Sequence, residues 1–133
     1  MVYGITASSF TSLSIEPPLV LVCVANSNKL ATMVQETHKF AVSILASDQQ
    51  DISAYFATSG REPVERFEDF GTIEMHTGSP IIDGSLAHLD CELDMAVVGG
   101  DHTIAIGRVL GAASDPSKQP LLYYRRAYRS LTD

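Results

Sequence analysis

Hydroxyl groups crowd the start of the chain. Thr6, Ser8, Ser9, Thr11, Ser12 and Ser14 follow one another closely, interrupted by a single aromatic, Phe10. Hydroxyls both donate and accept, so with neighbouring backbone N–H groups they suit a polar, flat, anionic ligand, serving heteroaromatic edges and phosphate oxygens alike. A Ser/Thr-rich surface turn has the same composition. The Pro17-Pro18 pair then fixes φ twice and forces an extended exit. A second group, Ser27, Asn28, Lys29 and Thr32, falls at the start of a stretch with helical periodicity. Orphan amides and the positive end of the helix dipole favour a phosphate there, although a plain helix cap uses the same residues. The third candidate is His102, presented by Gly99-Gly100-Asp101-His102, where a loop side chain is exposed rather than packed.

Other chemistries find less support. His38, His76, His88 and His102 come from separate elements without the short spacing of metal ligands, and HExxH is absent. There is no GxSxG nucleophile elbow, no GxGxxG fingerprint and no phosphate-binding GxxxxGK[ST] loop. A formal net charge of −7 with only nine Lys and Arg argues against a nucleic-acid groove. Three of those nine, Arg125, Arg126 and Arg129, cluster near the end. No apolar run reaches membrane-spanning length, and Met1-Val2-Tyr3-Gly4 lacks the basic start of a signal peptide. Cys23 and Cys91 sit in apolar or alternating runs with no CxxC spacing, as buried free thiols of a cytoplasmic protein do.

The elements that must position these groups are short and mostly β. Val2 to Ala7 reads as a strand leading into the hydroxyl phrase, which is itself too polar for a core strand. Leu19 to Val24 is continuously apolar and predicts a central or barrel strand. Lys29 to Thr37 carries Leu30, Met33 and Val34 at helical spacing. Phe40 to Leu45 predicts a buried strand, and Ser47-x-x-Gln50 a capping box opening a helix from Gln49 to Ala57. Pro63 marks a further helix start, and Thr72 to His76 a short edge strand. From Leu89 to Met95 apolar and acidic residues alternate strictly, which predicts one buried and one wet face. A hairpin returns through Thr103 to Gly111, and Pro120 to Tyr124 is the last strand. Six or seven strands, mostly hairpin-linked, with two or three short helices suit an antiparallel barrel better than a doubly wound sheet.

The ordered set of segments resembles a known family. Thr6-Ala7-Ser8-Ser9-Phe10-Thr11-Ser12 with Pro17-Pro18 is similar to the flavin-binding segment of short-chain flavin reductases. These are FMN-binding split barrels, among them the reductase components of two-component flavin-dependent monooxygenases. Phe40 to Ala57, Gly78-Ser79-Pro80, Ala87-His88-Leu89-Asp90-Cys91, Gly100-Asp101-His102-Thr103-Ile104 and Pro120 to Arg125 follow in the family's order. The resemblance implies a mainly β antiparallel split β-barrel in one domain over residues 1–133. Members usually carry an N-terminal helix and a first barrel strand ahead of the segment that here begins at Val2, so a shortened barrel with an open edge is expected. Lys29-Leu30-Ala31 also departs from the family's hydroxyl- and His-rich wording near the phosphate.

By position, the resemblance implies that Thr6, Ala7, Ser8 and Ser9 line the isoalloxazine edge, with Cys23, Val24 and Ala25 along the ring or ribityl chain. Ser27 and Thr32 would hold the phosphate, and Phe56 and Ala57 would border the pocket. His102 and the Tyr128-Arg129 end would line the nicotinamide side, with His102 closest to the chemistry. The implied activity is NAD(P)H-dependent flavin reduction: hydride passes from NADH or NADPH to FMN or FAD, and the reduced flavin goes to a separate oxygenase. Such transfer needs stacking and exclusion of water rather than a dedicated acid or base. A homodimer is implied, with no nucleic-acid or membrane partner. The alternative is an FMN-binding electron carrier or a non-catalytic flavin-binding relative of the same fold; a barrel for some other small ligand is a third reading.

Overall fold

The computed structural model describes residues 2–58 and 67–132, apart from the side chain of Glu68. The expected helix start at Pro63 lies outside the described residues. The chain runs β1 (Phe10–Ser14), β2 (Leu19–Ala25), α1 (Lys29–Thr37), β3 (Lys39–Ile44), α2 (Gln50–Ala57) and a single 3-10 turn (Phe67–Phe70). Then come β4 (Thr72–Ile73), β5 (Ile81–Ile82), β6 (Ala87–Gly99), β7 (His102–Ser114), β8 (Leu122–Tyr124) and β9 (Ala127–Arg129). Five strands form one antiparallel sheet in the order β1-β2-β7-β6-β3; β4 with β5 and β8 with β9 make two small ribbons. Among the described residues no helix is long and apolar enough to cross a membrane.

The inner face of the sheet packs on α1 through Val20, Val34, Phe40, Cys91 and Ala105. Gly107 in β7 is what admits Phe40: a Cβ there would lie 2.5 Å from Phe40 Cζ and 2.9 Å from Cys91 Cβ. A second cluster, Ile52, Phe56 and Ile82 with Leu45, Tyr55, Phe67 and Phe70, gathers on α2. The α1 boundaries match the periodicity. Asn28 caps it by accepting the Leu30 amide at 2.9 Å, and His38 closes it in the left-handed region at φ 60°.

Several expectations are corrected. Val2 to Ala7 forms no strand among the described residues, and the strand is Phe10–Ser14, inside the hydroxyl phrase. An edge strand with β2 on one side needs no continuous apolar face, so its polarity is tolerated. The capping box does not form: the Ser47 amide bonds the Gln119 carbonyl, and Gln49 becomes the N-cap without a side-chain cap bond. The Gln49 side chain instead accepts from the Ala46 amide at 2.9 Å and donates to the Asp83 carbonyl at 3.0 Å. The expected edge strand from Thr72 shortens to Thr72–Ile73.

The described residues form nine strands, partly because the chain end folds back as β9. Arg125 and Arg126 make that two-residue loop at φ 51° and 60°, the left-handed backbone that a I′ hairpin turn requires.

The alternation in β6 holds for side-chain direction only as far as Leu93, and does not hold for water. Asp90 is completely buried, because Met75 to Ser79 lies over its face, with His76 and Met75 against Gly111 of β7. Met95 is 54% exposed, because an irregularity between Leu93 and Met95 reverses the phase.

Candidate functional site

Strand register places the predicted residues. Cys23 faces Ile104, which faces Val97; Leu21 faces Ile106, which faces Met95; Ala25 faces His102, which faces Gly99. Directly opposed residues project to one side of a sheet, so Cys23, Ala25, Ile104 and His102 share the outer face. Ser9 joins them at the β1 edge: its carbonyl accepts the Cys23 amide at 3.1 Å, and its hydroxyl donates to the Cys23 carbonyl at 2.7 Å. Val24 does not share this face. It is 2% exposed and belongs to the core, so only its backbone can border a ligand there.

Thr6, Ala7, Ser8 and Ser9 are exposed and form a strap fastened at both ends. At one end Thr6 grips α2, its amide donating to the Phe56 carbonyl at 3.3 Å and its hydroxyl to the Ser53 carbonyl at 2.7 Å. At the other end Ser9 grips β2. None of the described residues bonds the amides of Ala7 and Ser8, which leaves two donors on an exposed segment. Phe56 lies in the aromatic cluster, 4.8 Å from the Phe67 ring and 5.0 Å from Tyr55 between centroids, and so supports the strap through its carbonyl. Ala57 is exposed beside it.

The hairpin loop is knotted to the start of α1. The Asn26 amide donates to the Asp101 carbonyl at 2.9 Å, and Asn26 Oδ1 accepts from the Thr103 hydroxyl at 2.5 Å. This keeps His102, which faces Ala25, against the segment that leads into α1. His102 Nδ1 lies 2.8 Å from Asp101 Oδ1. A carboxylate only accepts, so Nδ1 carries the proton and Nε2 remains open for a ligand. The same bond holds the Asp101 carboxyl below its ordinary pKa. Ser27 and Thr32 are exposed on either side of the Asn28 cap. Asn28 already takes the Leu30 amide, and its carbonyl takes that of Ala31, so the anion-binding capacity of the helix start is partly spent.

Tyr128 and Arg129 stand on β9. The Tyr128 hydroxyl donates to Ser53 Oγ at 3.0 Å, and its ring meets Tyr123 edge-on at 5.0 Å. Ser53 thus links the strap to the C-terminal hairpin. No sequence motif flags it; the available signal is a hydroxyl between Ile52 and Phe56 on a helix face that is otherwise apolar. Two surface concavities, of about 280 and 330 Å³, lie at the open end of the β6–β7 hairpin around His88 and Ala113. Neither contains a predicted site residue. Those residues border an open surface whose floor is apolar and whose rim is polar.

Comparison with known proteins follows the same line. The model of the flavin reductase like domain matches residues 1–132. An NADH-dependent flavin reductase from a Rhodococcus species is 39% identical over 130 residues, covering 98% of this chain and 70% of the relative. The reductase subunit HsaB of a flavin-dependent monooxygenase from Rhodococcus jostii is 39% identical over 128 residues, covering 96% and 64%. The NADH:FAD oxidoreductase SgcE6 of Streptomyces globisporus, solved in complex with NAD and FAD fragments, superposes with a TM-score of 0.90. That match has 34% identity and covers 98% of this chain and 81% of that one. The split barrel expected from the order of the segments is therefore the fold of this chain, which belongs to the flavin reductase like family.

Proposed function

We propose that the chain is an NAD(P)H-dependent flavin reductase that delivers reduced FMN or FAD to a separate oxygenase. The carrying observation is the apolar floor of Cys23, Ala25 and Ile104, bordered by the exposed Thr6–Ser9 strap on one side and His102 on another. A flat heteroaromatic ring needs such a floor and donors along one edge, and among the described residues nothing takes the amides of Ala7 and Ser8. The residues present therefore fit a flavin.

A bound flavin supplies the acceptor for the hydride of reduced nicotinamide. The chain's own part is positioning. Ala7, Ser8 and the Ser8 hydroxyl would donate to the ring edge where negative charge gathers, from a strap already fixed at both ends. Ser27, Thr32 and the Lys29 amide would hold the phosphate at the start of α1. His102 offers Nε2 and the β8–β9 hairpin offers Tyr128 and Arg129 on the nicotinamide side. No side chain need take or give a proton.

On the side away from the sheet this surface is open. Exposed Met95 and Val97, in line with Ile106 and Ile104, form an apolar strip that a second copy of the chain would cover, closing the site as a homodimer. Residues 1–133 act as one domain in this reading, and two free thiols suit a reducing cytoplasm. The relatives' names support a reductase working with NADH and, for the Rhodococcus jostii protein, with a monooxygenase.

The test is an absorbance titration with FMN and then FAD, followed by NADH and then NADPH without oxygen. Binding followed by bleaching is the expected result. Binding without bleaching would leave an electron carrier, and no binding would overturn the proposal. Sedimentation of the purified protein at micromolar concentration tests the dimer.

A further inference from the structure

Ser53 is 5% exposed and sits at the middle of α2, yet both of its oxygens bond outside the helix. Its carbonyl accepts from the Thr6 hydroxyl at 2.7 Å, and its hydroxyl accepts from the Tyr128 hydroxyl at 3.0 Å. These partners are separated from it by 47 and 75 residues in the chain. Thr6 begins the strap, and Tyr128 belongs to the ribbon closed by the left-handed Arg125-Arg126 loop. The β8–β9 ribbon pairs only with itself among the described strands. The chain is anchored just before β8, where the Leu121 amide donates to the Leu45 carbonyl at 3.0 Å; beyond that point the Tyr128–Ser53 bond, buried at its Ser53 end, ties the ribbon to α2. A helix is a stiff post, so two segments hydrogen-bonded to one residue of it keep a fixed separation.

We propose that Ser53 is a positioning residue for the reduction, holding the C-terminal hairpin at a set distance from the Thr6–Ser9 strap. It touches neither ligand and acts through Tyr128. The proposal rests on the flavin reductase reading, because that reading gives the two segments their nicotinamide-side and flavin-side tasks. Losing the hydroxyl releases the hairpin and leaves the strap in place, since Thr6 bonds the backbone carbonyl that every residue at position 53 retains. Alanine keeps the helix, and the Tyr128 hydroxyl, half-buried, can turn to water.

The experiment compares wild type, Ser53→Ala, Tyr128→Phe and the double variant. Each is measured for KM and kcat with NADH, for flavin affinity by fluorescence quenching, and for amide hydrogen exchange without ligand. Both single variants should raise KM for NADH about fivefold, the size of one net hydrogen bond, with flavin affinity changed less than twofold. Exchange should quicken across Tyr124–Arg129 and stay unchanged at Thr6–Ser9. The double variant should equal either single one, because all three lack the same bond. Additive effects, or an unchanged KM and unchanged hairpin exchange in Ser53→Ala, would overturn the proposal. Should the wild type fail to oxidise NADH with flavin, the reductase reading falls and the positioning role in reduction falls with it. Exchange then still reports whether Ser53 holds the hairpin.

Discussion

The Thr77 hydroxyl donates to Asp90 Oδ1 at 2.6 Å while the Thr77 amide donates to Oδ2 at 2.8 Å, so one residue binds both oxygens of a buried carboxylate. The His76 amide adds a third bond at 2.7 Å. Burial by itself pushes the Asp90 pKa up, but the Thr77 hydroxyl and the two amides outweigh it and hold the carboxyl below its ordinary value. The carboxylate thereby staples the Met75–Ser79 segment onto β6. Asp90→Asn replaces one accepting oxygen with an NH2 group that faces donors and should cost on the order of 3 kcal/mol in urea unfolding at neutral pH. A folded pKa below the unfolded one gives stability that is present above the unfolded value of about 3.9 and lost as pH falls through the folded value. Wild type should therefore lose more stability than Asp90→Asn on acidification from about pH 5 toward pH 2. Equal losses would remove the staple.

His102 and Ser9 share the outer face but have different tasks in the proposed reaction, so their loss should separate the kinetic constants. His102→Ala should lower turnover with NADH by about tenfold, as for about 1.4 kcal/mol of lost positioning in the transition state, with flavin affinity nearly unchanged. Ser9→Ala breaks the 2.7 Å bond to the Cys23 carbonyl and loosens one end of the strap, which then keeps only the backbone bond from the Cys23 amide. Flavin affinity should then fall about fivefold, as for one net hydrogen bond. Full activity in both variants would remove the site assignment.

The two thiols should react very differently. Burial, followed by the neighbouring Asp90 charge, pushes the Cys91 thiol up to about 12, and its side chain is fully enclosed. Cys23 is only half-buried, on the outer face. A disulfide reagent at pH 8 should titrate one thiol per chain quickly and the second only after denaturant is added. Because Cys23 lies on the proposed floor, saturating flavin should slow the first reaction. Fast labelling of Cys91 in the native protein would contradict its enclosure.

What could be read in the sequence was what local chemistry decides. Asn28 and the spacing of Leu30 and Val34 are enough to bound α1, and the Gly-Gly-Asp-His loop is enough to join β6 to β7. Val2, Tyr3 and Ile5 imitate a strand, but the stretch lies against the aromatic cluster: a Cβ on Gly4 would fall 2.6 Å from the Phe67 ring. The outer face became legible only from register, since an irregularity of one residue near Asp94 decides on which side Met95 and Val97 stand. Ser53 and Asp90 were illegible for a common reason. Each gets its meaning from partners brought in by the fold, and for Ser53 they are 47 and 75 residues away.

Gly107 tests whether the inner core is as tightly specified as its geometry implies. A methyl group at this position would meet Phe40 Cζ at 2.5 Å and Cys91 Cβ at 2.9 Å. The Phe40 contact is with the end of a side chain that can move, whereas Cys91 Cβ is fixed to the β6 backbone. Gly107→Ala should therefore destabilise by about 1–3 kcal/mol, the usual cost of overpacking. Phe40→Leu alone opens space and should also destabilise. Combined with Gly107→Ala, it should recover part of the loss, making the pair less costly than the sum of the two. Strict additivity in urea unfolding would mean that the strand shifts to admit the methyl group, and that Gly107 is not what seats Phe40. Since β7 carries Gly107 and His102 on one continuous strand, such a shift should also change the NADH kinetics, whereas simple overpacking should leave them alone.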